Sequence, residues 1–383
     1  MFTSSRPTSG VRRVLGTAAA IMAAVVTAVA SSAAPAVATM NPEPPVIHGS
    51  PFVGSKLTVE IEQGSFSGCG AAAGPDYSIY WTRDGVTVSR QWPNYVVTED
   101  DRGAAIAAHL VASQNGCDPV EVASAETAPI SASNRANGFT GRGAFELLAR
   151  RQDGTLLMYA RVGGNWESPR TIGPGWNGFN TILSPGDFNG DGTNDILARD
   201  AAGRLFLYPG TGNGGFQAGR QVGSGWNSFT SIVSPGDFDG DGNNDVLARD
   251  ANGVLYLYPG DGHGGWLTRS VVGTGWNVVN QVATPGDFNG DNTVDVLGRD
   301  TSGNLRLYRG NGSGGWGGMS VIGQGWGGMS TIGAAGDIDG NGNVDVYAVD
   351  GSGQLLAYYG DGDGGWNGSA VIGWGWGGFN GIF

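Results

Sequence analysis

The sequence predicts an all-β protein in which a small β-sandwich precedes a five-bladed β-propeller. Glycine is abundant, with 71 of 383 residues, and it recurs at fixed turn positions between short strand-like runs. Hydrophobic residues make up 40% of the chain and charged residues 14%, a composition that argues against disorder. One acidic segment also returns every 50 residues, which indicates a tandem array of one structural unit. Its copies begin at Asp187, Asp237, Asp287 and Asp337.

Residues 1–38 are predicted to be an export signal. Arg12 and Arg13 precede an apolar stretch, and residues 36–38 have the small-x-small pattern of a cleavage site. We expect general secretion with cleavage after Ala38, because the residues around the arginine pair fit a twin-arginine signal poorly. No later segment reaches the ~18–20 apolar residues that a membrane helix needs. We therefore expect a secreted protein, either free or associated with the cell envelope.

The chain is acidic, with a formal net charge of −13 at pH 7. Nucleic acids and anionic membranes attract clustered Lys and Arg, so neither is an expected partner. The two cysteines, Cys69 and Cys117, are an even count in an oxidising compartment, and a disulfide between them is expected. The alternative is a metal or redox pair, which a CxxC motif or a histidine cluster would favour; the sequence has neither.

Residues 42–132 are predicted to form the sandwich, with roughly six or seven short strands. The run from Ser78 to Val88 is interpreted as two strands that meet at an Asp-Gly turn. This region resembles bacterial immunoglobulin-like domains, which usually act as spacers or stalks. Residues 133–137 are expected to be a polar linker. The resemblance depends on a Pro-x-Val-Gly opening, a Trp-x-Arg-Asp-Gly hairpin and an Asp-x-Gly motif, at Pro51–Gly54, Trp81–Gly85 and Asp101–Gly103.

Residues 138–383 are predicted to be the propeller, because each unit contains four short strand-like runs, as a propeller blade does. The acidic loop occurs four times, and a degenerate copy, GFTGRGAFELLAR, begins at Gly138. That copy has no WxxFxxI strand before it, whereas the chain ends on an unpaired WGGFNGIF. We expect this C-terminal strand to complete the first blade near residue 145 and to close the ring, which removes open sheet edges. An open solenoid is the alternative.

The acidic loops carry oxygen ligands at positions 1, 3, 5 and 9, with a backbone carbonyl at position 7, as a chain does when it wraps a hard cation. The loops contain no cysteine or histidine, which disfavours zinc, copper and iron. A flexible cage of this kind suits Ca²⁺ better than Mg²⁺, and we expect about four structural calcium ions. The predicted ligands are Asp187, Asn189, Asp191, Thr193 and Asp195; Asp237, Asp239, Asp241, Asn243 and Asp245; Asp287, Asn289, Asp291, Thr293 and Asp295; and Asp337, Asp339, Asn341, Asn343 and Asp345.

An EF-hand would need a glutamate at position 12, where the first intact loop has Ala198 in a strand-like run. The loops resemble instead the FG-GAP and VCBS repeats, known from the integrin α-subunit propeller and from many secreted bacterial proteins. In the degenerate copy, Gly138 and Arg142 replace the aspartates at positions 1 and 5. We expect the Arg142 guanidinium to fill the cation position, with Glu146 as its partner.

Tryptophan follows G-x-G in all five units, and two interpretations stay open: packing between blades and stacking on sugar rings. The IGxGWxxF element, as at Ile172–Phe179, resembles the repeat of tachylectin-type lectins, which are five-bladed propellers that bind one N-acetylated sugar per blade. Gly327 and Gly377 replace the asparagine after the tryptophan in the last two units, so equal binding by all blades is not expected. The resemblance implies a ligand site at Trp176, Trp226, Trp276, Trp326, Trp376, Asn177, Asn227 and Asn277.

We predict a monomeric, non-catalytic module that binds an extracellular glycan or a cell-surface protein. Histidines His48, His109 and His263 are scattered, and the sequence has no GxSxG elbow or HExxH pair. Every carboxylate cluster repeats as a metal loop. A hydrolase or lyase that acts on extracellular polysaccharides is one alternative, and a purely structural envelope or matrix protein is another.

Overall fold

The computed structural model describes most of the chain that follows the predicted export signal. Residues 1–38, the linker 133–137 and Cys69 lie outside the described residues, so the export signal, the linker and the disulfide stay predictions. The described residues are 39–48, 51, 56–61, 65–67, 76–89, 94–101, 103–114, 117–127, 130, 138–142, 144–291, 293–341 and 343–383.

The first part of the described chain forms three small antiparallel sheets, with strand orders β1-β4, β2-β3-β7 and β6-β5-β8-β9. One 3₁₀ turn, Glu99–Asp101, lies between β7 and β8. The strands are β1 (Thr39–Asn41), β2 (Val46–His48), β3 (Lys56–Glu60), β4 (Ser65–Ser67), β5 (Asp76–Arg83), β6 (Val86–Ser89), β7 (Asn94–Val96), β8 (Ile106–Ser113) and β9 (Val120–Ala123).

Trp81 lies at the centre of the core of this region. It is fully buried on β5 and shares one cluster with Leu57 of β3 and Tyr95 of β7, so the three-stranded and four-stranded sheets contribute to a common core. The predicted turn joins β5 to β6, and Asp84 and Gly85 have φ values of 46° and 77°, the positive pair that a tight two-residue hairpin turn requires. Membership of an immunoglobulin-like family stays a prediction.

The Asp-x-Gly motif of this region contains a buried carboxylate. Asp101 is fully buried. It accepts hydrogen bonds from the Tyr95 hydroxyl at 2.7 Å, the Thr98 N–H at 2.8 Å and the Arg83 guanidinium at 3.2 Å. A carboxylate is tolerated in a core only when donors of this kind compensate for its lost hydration. The aspartate therefore links three segments of the small domain.

The repeat region consists of five antiparallel sheets among the described residues, four of them with four strands in chain order. Sheet 1 has the order β12-β11-β10-β30, with β13 also paired to β11. A 3₁₀ turn that contains the repeated tryptophan precedes the first strand of each later sheet and also precedes β30.

The strands of the repeat region are β10 (Phe145–Arg150), β11 (Leu156–Val162), β12 (Asn165–Trp166) and β13 (Arg170–Gly173) in sheet 1; β14 (Phe179–Gly186), β15 (Asp195–Asp200), β16 (Leu205–Tyr208) and β17 (Arg220–Gly223) in sheet 2; β18 (Phe229–Gly236), β19 (Asp245–Asp250), β20 (Leu255–Tyr258) and β21 (Ser270–Gly273) in sheet 3; β22 (Val279–Gly286), β23 (Asp295–Asp300), β24 (Leu305–Gly310) and β25 (Trp316–Gly323) in sheet 4; β26 (Met329–Gly336), β27 (Asp345–Asp350), β28 (Leu355–Gly360) and β29 (Trp366–Gly373) in sheet 5; and β30 (Gly381–Ile382) in sheet 1. The 3₁₀ turns are Trp176–Gly178, Trp226–Ser228, Trp276–Val278, Trp326–Gly328 and Trp376–Gly378.

The last strand of the chain completes sheet 1, as the sequence predicts. The Phe383 N–H donates to the Leu148 carbonyl at 2.8 Å, and the Leu148 N–H donates back to the Phe383 carbonyl at 3.1 Å. The Asn380 N–H donates to the Arg150 carbonyl at 2.9 Å. Strand β30 thus takes the place beside β10 that β14 takes beside β15. Sheet 1 is therefore built from both ends of the repeat region.

A separate hydrophobic cluster lies at each junction between sheets. The clusters join sheet 1 to 2, 2 to 3, 3 to 4, 4 to 5 and 5 to 1. Strand β10 and the second strand of each later sheet are buried on both faces for this reason, which explains their nearly continuous apolar runs. Representative pairs that share a cluster are Leu148 with Ile196, Leu197 with Val246, Leu247 with Val296, Leu297 with Val346, and Leu147 with Val349.

A second series of tryptophans also links the sheets. The Trp266 indole N–H donates to the Val222 carbonyl of the preceding sheet at 2.9 Å, and Trp166 donates to the Ile372 carbonyl of sheet 5 at 2.6 Å. These bonds satisfy the polar atom of a largely buried ring. Within the described part of the chain, no helix has the length and apolar character needed to cross a bilayer.

Candidate metal loops and ligand clefts

Each acidic loop connects the first strand of a sheet to the second, as the loop from Asp187 to Asp195 connects β14 to β15. The Asp187 carboxylate accepts the N–H groups of Gly190 at 2.8 Å, Asp191 at 3.2 Å and Gly192 at 2.8 Å. Both glycines have φ near +80°, a conformation in which a side chain would be strained. The position 1 carboxylate therefore organises the loop around itself. The first two of these N–H contacts recur at Asp237, Asp287 and Asp337.

The aspartate at position 9 anchors each loop to its sheet. Its two oxygens accept different N–H groups: Asp195 accepts from Phe188 at 2.9 Å and from Gly210 at 2.9 Å. All four position 9 aspartates are fully buried. The equivalent bonds are those of Asp245 with Phe238 and Gly260, Asp295 with Phe288 and Gly310, and Asp345 with Ile338 and Gly360.

Carboxylates at positions 1, 3 and 9 converge in two of the loops. One ligand oxygen from each member of a set lies within 4.8 Å of the others. The other two loops have Asn189 or Asn289 at position 3, so only two of these three positions are acidic there. Like charges at this separation repel each other unless a cation or a proton neutralises them. The two sets are Asp237, Asp239 and Asp245, and Asp337, Asp339 and Asp345.

Burial raises the pKa values of the four position 9 aspartates and of two position 1 aspartates, Asp187 and Asp237, and neighbouring loop carboxylates raise them further. The pKa of Asp245 is well above its usual value, chiefly because the side chain is buried and secondly because Asp239 lies close to it. The pKa of Asp187 is also raised by burial. The folded chain therefore holds negative charge in these loops only at a cost, which a bound divalent cation would offset. Burial raises the pKa to about 7 for Asp195, Asp237 and Asp345 and to about 8 for Asp295.

Position 5 is more exposed than positions 1 and 9 and contacts its own loop. The Asp191 carboxylate accepts the Thr193 N–H at 3.0 Å and the Thr193 hydroxyl at 2.6 Å, and Asp241 accepts the Asn243 N–H at 2.8 Å. Asp241 does not belong to the carboxylate set of its loop. The structure thus brings positions 1, 3 and 9 together in two loops and places position 5 against position 7. The same pairing joins Asp291 to Thr293 and Asn341 to Asn343.

The degenerate loop differs from the expectation. The Arg142 guanidinium pairs with Glu167 at 2.9 Å and not with Glu146. Glu146 is buried and takes the role of the position 9 aspartate, since it accepts the N–H groups of Phe139 and Thr140. The expected ion pair is wrong because these donors already satisfy the buried carboxylate, whereas Arg142 stays half exposed and reaches an exposed glutamate. The Arg142 guanidinium therefore does not fill the cation position of this loop.

The five repeated tryptophans lie in the clusters between sheets, with exposed fractions of 4–8%. The Trp226 ring lies 4.7 Å from Tyr258 and 5.2 Å from Trp266, measured between centroids. This burial favours the packing interpretation, and contact of these rings with a sugar stays a prediction. The residues in question are Trp176, Trp226, Trp276, Trp326 and Trp376.

The three adjoining asparagines are exposed, and they support neighbouring turns. The Asn177 amide donates to the Gln152 carbonyl at 2.9 Å, and the Asn277 amide donates to the Ala251 carbonyl at 3.2 Å. Asn227 lies against Gly203, where a Cβ atom would come within 2.8 Å of its side chain. These asparagines hold the β10–β11, β15–β16 and β19–β20 hairpin turns, while their exposure leaves them accessible to a ligand.

Sequence reasoning missed a series of arginines that hold the 3₁₀ turns. The Arg249 guanidinium donates to the carbonyls of Trp276, at 2.9 Å, and Val279, and thereby ties sheet 3 to the turn that leads into sheet 4. The repeated LARD sequence marks this arginine as a recurring residue. The sequence does not show its partner, because the Trp276 carbonyl lies 27 residues away. Sheet 5 has Val349 at this position. The arginine clamps are Arg150, Arg199, Arg249 and Arg299.

Two clefts lie at the edges of sheet 1. One, of about 400 Å³, lies between the β10–β11 turn and the 3₁₀ turn before β30; its lining is Arg151, Gln152, Asp153, Gly375, Gly378 and Phe379. The other, of about 350 Å³, lies toward sheet 2; its lining includes Arg142, Met158, Glu167, Arg170 and Asn213.

Comparisons with known proteins identify the repeat and give distant structural neighbours. Residues 187–348 match the FG-GAP-like repeat family in three overlapping segments, 187–248, 237–298 and 287–348. The BP39L lectin from Burkholderia pseudomallei is 18% identical over 88% of this chain and 100% of its own, with a TM-score of 0.42. An Agrocybe aegerita lectin that recognises non-reducing terminal N-acetylglucosamine is 15% identical over 88% of this chain and 91% of its own, with a TM-score of 0.38. No curated protein matches the sequence.

Proposed function

Because residues 187–348 consist of FG-GAP-like repeats, we propose that residues 138–383 form a secreted, calcium-stabilised, five-bladed β-propeller that binds an extracellular glycan without catalysing its breakdown. Five sheets that pack in sequence, with the fifth against the first, support the propeller architecture. The small β domain that precedes it serves as a stalk. Binding of a cell-surface protein is the alternative for the same module.

Calcium is supported by the donor set of the loops. Carboxylate, amide and backbone oxygens in a glycine-permitted turn are the ligands that Ca²⁺ prefers, and the clustered buried carboxylates need a countercharge. At millimolar calcium and a Kd of ~10⁻⁴ M, mass action stabilises the fold by about 1.4 kcal/mol per site. The ions are therefore structural in this proposal, and the aspartates at positions 1, 3 and 9 are their main side-chain ligands.

A non-catalytic role is supported by the distribution of titrating groups. Within the described residues, each carboxylate whose pKa is raised belongs to one of the repeated loops. A glycosidase would need a pair of carboxyl groups with different environments in one cleft. The same carboxylate environment occurs in four loops, as expected for residues that support the fold. Ligand binding is therefore assigned to the clefts.

The observation that carries glycan binding is the cleft of about 400 Å³ beside Phe379. Its guanidinium, amide and carboxylate groups can hydrogen-bond to sugar hydroxyls, and an aromatic ring can contact the apolar face of a pyranose. The net charge of −13 disfavours polyanionic ligands, so a neutral saccharide fits best.

Titration of calcium during thermal unfolding tests the metal half of the proposal. Four filled sites contribute about 6 kcal/mol, so millimolar Ca²⁺ should raise the unfolding midpoint by roughly 10–20 °C over the midpoint in chelator. Magnesium at the same concentration is the control and should have a much smaller effect. An unchanged midpoint in calcium would remove the metal from the proposal.

A panel of immobilised neutral oligosaccharides, probed at millimolar calcium, tests the binding half. We expect saturable binding that weakens in chelator as the fold loosens. Saturable binding to whole cells that protease treatment abolishes, without any glycan signal, would support the cell-surface protein instead. Absence of any saturable ligand would support a purely structural role.

A further inference from the structure

One tryptophan of the repeat region is placed unlike the others. Trp374 is 74% exposed, whereas Trp376, two residues later, is 5% exposed. A large apolar ring loses hydrophobic stabilisation when it stays in water, and the exposed face of this indole is free to stack on a ligand. The residue stands at the middle of a G-x-G-W element. The corresponding residues in the other four elements are not aromatic; they are Pro174, Ser224, Thr274 and Gln324.

The cleft that begins at the residue after this tryptophan also has an unusual lining. Gly375, the next residue, lines the cleft together with Arg151, Gln152 and Asp153 of the β10–β11 turn. The Gln152 amide donates to the Gly378 carbonyl at 3.3 Å, so the two walls of the cleft are in contact. Arg151 stands where the equivalent turns of the other sheets begin with aspartate, namely Asp200, Asp250, Asp300 and Asp350.

The polar groups of the cleft have defined hydrogen-bonding roles. The Asp153 carboxylate accepts the Thr155 N–H at 2.8 Å, which holds it in place and lowers its pKa, so it is an anionic acceptor at neutral pH. Arg151 supplies donors only, and the Gln152 amide supplies both donors and an acceptor. Sugar hydroxyls, which donate and accept, match such a mixed set, whereas a purely anionic or cationic ligand does not.

We propose that Trp374 and this cleft form one saccharide site at the junction where the ring closes. The indole stacks on the C–H face of a pyranose ring, and Arg151, Gln152 and Asp153 bind its hydroxyl groups. The inference rests on the proposed glycan binding and narrows it, because it assigns recognition to one junction and not to five equivalent ones. The ligand class is a neutral saccharide, and the stoichiometry is one site per chain.

Soluble chitotriose, cellotriose and mannotriose, titrated calorimetrically into the full chain in calcium, provide the test. We expect at least one of them to bind with a stoichiometry near one, and Trp374→Ala to weaken that binding roughly tenfold or more. Trp374→Phe should retain part of the affinity. Gln324→Ala, the same position in another element, is the matched control and should bind as the wild type does.

Two further measurements keep the outcomes distinct. Because the Trp374 side chain is largely exposed, Trp374→Ala should keep the calcium-dependent unfolding midpoint of the wild type. Arg151→Asp, which installs the residue of the other turns, should weaken binding several-fold without removing an aromatic ring. Wild-type affinity in both variants would overturn this inference and leave glycan binding intact, whereas a wild type that binds no saccharide would overturn both. A concentration-dependent dimer that Trp374→Ala abolishes would assign the indole to an interface between copies and would also overturn it.

Discussion

The position 1 aspartate organises its loop and, in the proposed calcium sites, is also a metal ligand. Asp237 is 3% exposed and accepts the N–H groups of Gly240 at 2.7 Å, Asp241 at 3.0 Å and Gly242 at 2.8 Å. These bonds shape the turn before any metal binds, and they aim the carboxylate of position 1 toward those of positions 3 and 9. A pre-shaped loop of this kind reduces the conformational entropy that metal binding would otherwise cost.

Replacement of Asp237 should therefore affect both the turn and the metal. We expect Asp237→Ala to lower the free energy of unfolding in millimolar calcium by about 3 kcal/mol, since it removes several hydrogen bonds and one ligand set. Calorimetry should count one calcium ion fewer than in the wild type. Asp239→Asn is the matched control, because two sister loops already have Asn189 and Asn289 at that position; it should keep the calcium count. Equal losses in the two variants would contradict the assigned roles.

At the scale of elements, the two-residue strand β30 protects a sheet edge. It covers the edge of β10, and Phe379, Ile382 and Phe383 contribute to the clusters on both sides of sheet 1. Without it, β10 would present an unpaired edge to solvent, which invites pairing with another chain. The clamp Arg150 reaches this strand as well, since its guanidinium donates to the Asn380 side chain at 2.6 Å.

Removal of residues 380–383 should open the ring. We expect the free energy of unfolding to fall by at least about 4 kcal/mol, from lost hydrogen bonds and lost apolar burial, and the variant to associate in a concentration-dependent manner. Chemical denaturation and light scattering would measure the two effects. A chain with Gly-Ser-Gly added after Phe383 is the control for disturbance of the terminus. A truncated chain with wild-type stability would show that the pairing of β30 is dispensable.

At the scale of the whole molecule, the four acidic loops should make stability depend on pH and, through the proposed calcium ions, on calcium. The pKa values of Asp195, Asp237 and Asp345 are raised to about 7 and that of Asp295 to about 8, all above the usual 3.8. A carboxyl group with a raised pKa in the folded state binds protons more tightly there than in the unfolded chain. The stability that such a group adds is complete at pH values below its pKa in the unfolded chain. That stability is lost as the pH rises through its pKa in the folded protein.

The calcium-free protein should therefore become more stable on acidification. In chelator, we expect the unfolding midpoint to rise as pH falls from 8.5 to about 5.5. Calcium requires ionised ligands, so the stabilisation that it adds should be larger at the higher pH and shrink at the lower one. Thermal scans in calcium and in chelator across this range measure the difference, with sodium chloride at matched ionic strength as the control. An equal calcium effect at both ends of the range would contradict the raised pKa values.

The parts of the fold that sequence reasoning recovered depend on short separations. The hairpin at Asp84 and Gly85 is encoded within a few residues, and the structure forms it. The spacing of the acidic loops is equally local, and in two of them the carboxylates at positions 1, 3 and 9 lie together. The pairing of Arg142 with Glu167, 25 residues away, was not recovered, because nothing local distinguishes Glu167 from Glu146. Trp374 was not predicted for a different reason: it stands at the variable position of the G-x-G-W element, where no periodic pattern marks an aromatic residue.

By itself, the sequence determined the repeat of 50 residues, the oxygen-only character of the loops and the need for a terminal strand to complete the first unit. These follow from periodicity and residue chemistry, which are local properties of the chain. Only the tertiary structure decided which aromatic rings are buried between sheets and which one faces solvent, and which guanidinium groups clamp a neighbouring turn. Such differences arise when sheets of nearly identical sequence meet at a junction made from both ends of the chain, because contacts across that junction have no counterpart elsewhere in the array.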